Sequence, residues 1–322
     1  MEDTSGRPPG PAQATSGVSR RLKRRTFLQQ RMREAKKRNG IPVSSSDESS
    51  EGEVEQGPQI STQNQMTTSL ITIPGTIILH ELFFRRVVLL PEGVVMKTGQ
   101  SLRLQEADAL RVALKAQLPV PRVYDVGEMK DSKSRDTKYI RMDYIKGQTL
   151  QELWPSMKAT EKQDIANQLR DIISAMRSLE PPPNYIGDCG GMEVRDSRRF
   201  DAYHAPACTD EAEFNRFLLD GLMKQTPRGL YDAFARRLRT NHRIVLSHCD
   251  LAPRNLMVHE GKIVGVIDWE DAGWYPEYWE YVKFFQRMVN SPSDWVDYSD
   301  SIFAQTYPDE LVDHTGISTW QS

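Results

Sequence analysis

Cysteine is scarce in this 322-residue chain: Cys189, Cys208 and Cys249 are far apart and odd in number. That usage suits a reducing compartment better than a disulfide framework. With no C-x-x-C pair, it also gives no ground for a structural zinc site. Long apolar runs are missing too, since no stretch approaches the roughly 18 residues needed to cross a bilayer. The opening MEDTSGRPPGPAQ has neither the basic start nor the apolar core of a signal peptide. The chain therefore reads as soluble and cytoplasmic, with no membrane partner. Net charge is small, −2, so the chain as a whole gives no reason to expect nucleic acid as its partner. A folded body of roughly 250 residues buries about three quarters of its unfolded surface without any staple.

Apolar periodicity is nearly absent from residues 1–69, which are dominated by Ser, Gly, Pro, Gln and charge. Such a segment cannot offset the entropy of ordering and is expected to be a disordered tail. Within it, residues 20–38 carry ten Lys or Arg against the single Glu34, and residues 44–55 are mostly serines and acids. The basic block has two readings. One is a solvated tail neutralised by the adjacent acids; the other is a site for a nuclear-import receptor or an anionic surface.

From residue 70 the pattern becomes β-rich. Thr76–Leu79, Phe84–Leu90 and Val94–Thr98 read as strands, with Pro91-Glu92-Gly93 as a turn. A helix is expected from Ser101, as N-cap, to about Ala116, burying Leu102, Leu110, Ala113 and Leu114. Val123–Val126 and Tyr139–Tyr144 are further strands, flanking the polar loop Lys130–Thr137. Residues 70–144 thus form a small α+β lobe, and 145–322 a larger, mainly helical lobe. Thr160–Ser178 is the clearest helix, with Ile165, Leu169, Ile172, Ile173 and Met176 on one face. Glu180–Cys208 reads as loop, Glu211–Lys224 and Leu230–Thr240 as helices. Leu256–His259 and Lys262–Ile267 read as a hairpin.

The chemistry concentrates in Ser247–Val258, SHCDLAPRNLMV, followed by IDWE at Ile267–Glu270. Asp250 and Asn255 share one loop, and a hairpin returns Asp268 beside it. Three oxygen-bearing side chains around one phosphate suit phosphoryl transfer to an alcohol, which needs alignment, a carboxylate near the hydroxyl and hard-oxygen metal ligands.

HCDLAPRN with IDWE resembles the motifs of the aminoglycoside phosphotransferase family, and IDWEDAGWYPEYWEY looks like its fungal branch. The resemblance implies a bilobal protein-kinase-like fold with ATP and Mg²⁺ between lobes and a small-molecule hydroxyl acceptor. It makes Asp250 the catalytic base and Asn255 and Asp268 the metal ligands. His248 becomes a loop brace, and Glu280 an acid that steadies the catalytic loop. It also makes Lys97 the phosphate-contacting lysine and Glu106 its partner. Arg141–Gly147 resembles the hinge between lobes, with Met142, Asp143 and Ile145 at the adenine.

One family-like part is missing: no G-x-G-x-x-G precedes Lys97, and His80–Phe83 is the candidate phosphate-covering turn. The aromatic residues Trp274, Tyr275, Tyr278, Trp279 and Tyr281 read as core. Asp188, Glu193, Asp271 and Glu277 are candidates for attracting a cationic acceptor. The reading is a small-molecule O-phosphotransferase; the alternative is a catalytically inactive kinase-like binding or regulatory protein. A protein kinase fits less well, because nothing after Asp268 is long enough for an activation segment.

Overall fold

The computed structural model describes residues 74–82, 85–131, 134–197, 202–286 and 291–321. The expected tail, with its basic and acidic blocks, lies outside the described residues. Among the described residues no helix is long and apolar enough to cross a membrane.

Five antiparallel strands make the first layer: β1 Ile77–Leu82, β2 Arg85–Leu89, β3 Val94–Gly99, β4 Val123–Lys130 and β5 Asp136–Asp143, in the order β1-β2-β3-β5-β4. Gly93 makes the β2–β3 turn possible: its φ is +82°, and its N–H donates to Leu90 O at 2.9 Å. The sheet buries Val95, Ile140 and Met142 in the main core, while Val88, Leu90 and Met96 form a smaller cluster. Edge strand β1 extends to Leu82, so His80–Leu82 are strand rather than turn. Residues 83–84, which follow, lie outside the described residues.

Helix α1 spans Gln105–Lys115, starting four residues later than Ser101. Ser101 is not its cap; Leu104 holds that position without any side-chain bond. The segment before the helix is instead tied down by Arg103, which bonds Glu270 O and Glu193 across the molecule. Leu102, Leu110 and Ala113 are buried as expected, but Leu114 is 41 % exposed.

Beyond the sheet lie β6 Gln148–Thr149, α2 Leu150–Leu153 and the long helix α3 Ala159–Arg177. Helix α3 buries Ile165, Leu169, Ile173 and Met176. The expected loop Glu180–Cys208 contains strand β7 Gly187–Asp188 and a hairpin, β8 Glu193–Ser197 with β9 Ala202–Pro206. Charge rather than apolar alternation holds this hairpin. Lys283 pairs with Asp196, and Arg195 with Asp271 at 2.9 Å. Helices α4 Glu211–Asp220 and α5 Arg228–Arg237 follow.

Strand β10 Ile244–Ser247 pairs with β13 Gly273–Pro276, and β11 Leu256–His259 with β12 Lys262–Val266. Helices α6 Trp279–Gln286, α7 Ser299–Ile302 and α8 Pro308–Thr319 end the described chain. Trp274, Tyr275, Tyr278, Trp279 and Tyr281 are all buried in the main core. The architecture is the expected α+β one: a small β-rich layer followed by a larger, mainly helical body.

Candidate active site

Strand β3 ends by presenting Lys97, whose Nζ donates to Glu106 on α1 at 2.9 and 2.7 Å and to Asp268 Oδ1 at 2.6 Å. Burial alone would strip the Lys97 charge, but the two carboxylates outweigh it and raise its pKa. Burial pushes the Glu106 carboxyl up to about 7 against the pull of Lys97. Asp268 also sits where burial opposes ionisation, yet contact with Lys97 holds its carboxyl below the usual range. Its side chain keeps 34 % of its surface exposed, so it remains open to a ligand. Its φ of +66° turns the chain sharply after β12 and delivers the carboxylate toward β3.

The side carrying Asp250 and Asn255 is built by hydrogen bonding. Asp250 N–H donates to His248 Nδ1 at 3.1 Å, which makes Nδ1 the acceptor and puts the ring proton on Nε2. Nε2 then donates to Ile267 O at 3.1 Å, immediately before Asp268. Burial lowers the His248 pKa despite the nearby Asp250 and Asp268, so the neutral ring persists. Trp269 packs edge-on against the imidazole, with centroids 4.7 Å apart. Ile267 N–H donates to Asn255 O at 2.9 Å. One imidazole and one backbone bond thus join the loop carrying Asp250 and Asn255 to the residue preceding Asp268.

Glu280 on α6 holds the loop from behind, accepting from His248 N–H and from Cys249 N–H at 3.2 and 3.1 Å. Burial pushes its carboxyl up to about 7 although these bonds favour the anion. Asn255 Nδ2 donates to Asp250 O at 2.9 Å and Oδ2 at 3.0 Å.

The hinge candidates lie at the end of β5. Met142 is buried between Val95 and Val123. Asp143 bonds the start of β4: its N–H donates to Arg122 O at 3.0 Å, and its Oδ2 accepts from Arg122 N–H at 2.9 Å. Ile145 rests on Gly265 of β12 so closely that a Cβ there would lie 2.7 Å from its Cγ2.

The four acids considered for a cationic acceptor are buried and already matched with arginine. Arg103 pairs with Asp188 at 3.3 Å and Glu193 at 2.5 Å, Arg195 with Asp271 at 2.9 Å, and Arg243 with Glu277 at 2.9 Å. Matched in this way they tie elements together, so they are neither scattered surface acids nor placed to attract a cationic acceptor. Arg85 on β2 adds a link to Glu270 at 2.7 Å. None of these arginines was singled out in the sequence, because their partners are distant in the chain. Arg254 was also missed, although its place four residues after Asp250 is a recognisable pairing distance.

Among the described residues no group of three or more His, Cys, Asp or Glu side chains is placed to hold a metal ion. Asp268 and Asn255 are hard-oxygen donors on adjoining loops. A pair of that kind fits Mg²⁺, which commonly takes one or two protein oxygens and completes its shell with phosphate and water.

A β-rich layer presenting a lysine–glutamate pair to an aspartate, beside an H-x-D-x-x-x-x-N loop, defines a kinase-like phosphotransferase. Residues 95–309, about two thirds of the chain, match the model of the phosphotransferase enzyme family, and the chain belongs to that family. It is similar in structure to a thermostable mutant of aminoglycoside phosphotransferase APH(4)-Ia in ternary complex with ADP and hygromycin B. That likeness has 17% identity, a TM-score of 0.53, and covers 76% of this chain and 84% of that one. The apo form of a thermostable mutant of the same enzyme gives 16% identity and a TM-score of 0.51, over 76% and 84% of the two chains. A variant with AMP-PNP and hygromycin B gives 16% and 0.51, over 77% and 92%. At these identities the likeness establishes the fold. No curated protein matches the chain.

Proposed function

We propose that this chain binds ATP with Mg²⁺ and transfers the γ-phosphoryl group to a hydroxyl of a small molecule. The observation that carries the reading is the Glu106–Lys97–Asp268 chain of contacts, at 2.7 and 2.6 Å. Glu106 keeps the ammonium in place, and Asp268 occupies the side of Lys97 that the α- and β-phosphates would take. Asp268 and Asn255 are the residues to hold Mg²⁺, which would neutralise charge on the phosphates. Asp250 accepts the hydrogen bond of the acceptor hydroxyl and aligns its oxygen with the γ-phosphorus. Met142, Asp143 and Ile145 supply the adenine end, with backbone groups near 143 and 145 at its edge.

The acceptor is small for a topological reason. Only Trp269–Ala272 separate Asp268 from β13, so no segment is available to seat a protein substrate. The structural neighbours with hygromycin B are aminoglycoside enzymes, but in this chain the matched acids leave the acceptor open among aminoglycoside-like, sugar, choline-like and other alcohols.

The test pairs a binding and a product readout. ATP with Mg²⁺ should raise the melting temperature of the full chain, and Asp268→Ala should lose that rise while ATP without metal changes little. Incubating the chain with ATP and a metabolite extract should yield a product heavier by one phosphoryl group. A rise unaffected by Asp268→Ala refutes the metal assignment, and absence of both rise and product refutes the function.

A further inference from the structure

Arg254 lies in the 3₁₀ turn Pro253–Asn255, directly between the two loop residues already assigned. Its Nη2 donates to both carboxylate oxygens of Asp250, at 2.6 and 2.7 Å. The carboxylate is nearly buried, with 7 % of its side chain exposed, whereas the arginine side chain is 36 % exposed. Among the described residues Arg254 has no other hydrogen bond or ion pair.

An ordinary i,i+4 surface pair contributes little and joins two solvated side chains. Here one partner is the buried acid at the centre of the site. A pair serving stability alone would set the guanidinium fork against the carboxylate with two nitrogens. Arg254 uses a single nitrogen instead, so among the described residues the donors on Nη1 and Nε have no protein partner. A planar set of unpaired N–H donors held beside the group that aligns the acceptor suits phosphate oxygens.

Resting on the phosphotransferase reading above, we propose that Arg254 is a further catalytic residue that contacts the phosphoryl group in transfer. Its Nη2 fixes the Asp250 carboxylate, and its remaining donors take the equatorial oxygens of the phosphoryl group on the acceptor side. Lys97 serves the nucleotide side. As the acceptor oxygen forms its bond to the γ-phosphorus, the bond from that phosphorus to the bridging oxygen breaks and its electron pair leaves with ADP. The hydroxyl proton passes to Asp250 and then to solvent. The two cations bracket the charge at both ends of that path.

The test needs no acceptor. Thermal shifts and affinities are measured for the full chain with Mg²⁺ and ADP, with and without aluminium fluoride, a stand-in for the phosphoryl group in flight. For the parent, fluoride should tighten ADP binding. Arg254→Ala should keep the Mg²⁺–ADP shift, which also shows it is folded, and lose about 100-fold of the fluoride-dependent gain. Arg254→Lys should retain part of the gain, because the charge remains without the fork. A gain equal to the parent's in Arg254→Ala, or no gain in the parent, overturns the proposal. Loss of the Mg²⁺–ADP shift in Arg254→Ala alone assigns the arginine a structural role and overturns it as well. A parent that shows no Mg²⁺–ADP shift sinks the phosphotransferase reading first, and this proposal with it.

Discussion

On the sheet side of the site, Lys97, Glu106 and Asp268 are joined by charge; on the loop side, His248, Asp250 and Asn255 are joined largely through backbone bonds. The two sides differ in what they do when a ligand arrives. Lys97 is buried between two carboxylates, so it cannot leave Asp268 without another anion to replace it. A phosphate is such an anion, which makes this half exchangeable. Apart from the Arg254–Asp250 pair, the loop has nothing comparable to exchange. Its imidazole is neutral, and its N–H groups are already satisfied by Glu280 and His248. It is preformed, and preformed dipoles cost no reorganisation at the moment of reaction.

The largest effect should come from breaking the loop side at Asp250, the proposed base. Asp250→Ala is expected to lower phosphoryl transfer by about 10³-fold, the usual scale for losing a positioned acid–base group. The thermal shift from ATP and Mg²⁺ should survive, because Lys97, Glu106 and Asp268 are untouched. Turnover in the variant equal to that of the parent would remove Asp250 from its role.

Glu280→Ala attacks the same loop from behind. Two buried backbone N–H groups lose their acceptor, at about 1–3 kcal/mol each. Denaturant unfolding should therefore show a loss of about 3 kcal/mol, with turnover falling as the loop loosens. A variant as stable as the parent would mean that the loop is held by its own residues alone.

The same residue sharpens the comparison through pH. Burial raises the folded Glu280 carboxyl to about 7, above its unfolded value of about 4.3. Between those values the folded state holds a proton that the unfolded state has released. Its contribution to stability is full below about pH 4.3 and is lost as pH rises through about 7. Glu280→Gln cannot titrate, so its stability relative to the parent should rise across that window. A difference that stays flat from pH 4 to 8 would show that Glu280 is not held in this way.

The loop side was the more legible in sequence, because its parts lie within one short motif. SHCDLAPRN places the proposed base Asp250, the bracing His248 and the proposed amide ligand Asn255 within eight residues, and a hairpin of few residues returns Asp268. Lys97 and Glu106 were legible for the same reason, being nine residues apart on a strand and the next helix. What escaped was set by distant charge. The β8–β9 hairpin has no apolar alternation to announce it and is fixed by Lys283, Arg103 and Asp271 from three other elements. The start of α1 was misplaced because Arg103, pulled toward Glu270 O, overrides the local capping preference of Ser101. The arginine matches of Asp188 and Glu193 span 85 and 90 residues, a separation that no local pattern reports.

The smallest expected effect tests whether backbone strain also belongs to the loop. Cys249 has φ +68°, in the left-handed region, between His248 and Asp250. A non-glycine residue there costs roughly 1 kcal/mol, which glycine would relieve. Cys249 is also buried in the main core, so glycine forfeits its packing and adds freedom to the unfolded chain. These terms oppose each other at similar size, and Cys249→Gly should change unfolding free energy by less than about 1 kcal/mol while keeping activity. A loss of several kcal/mol would show that thiol packing, rather than Glu280 and the imidazole, holds this side of the site in place.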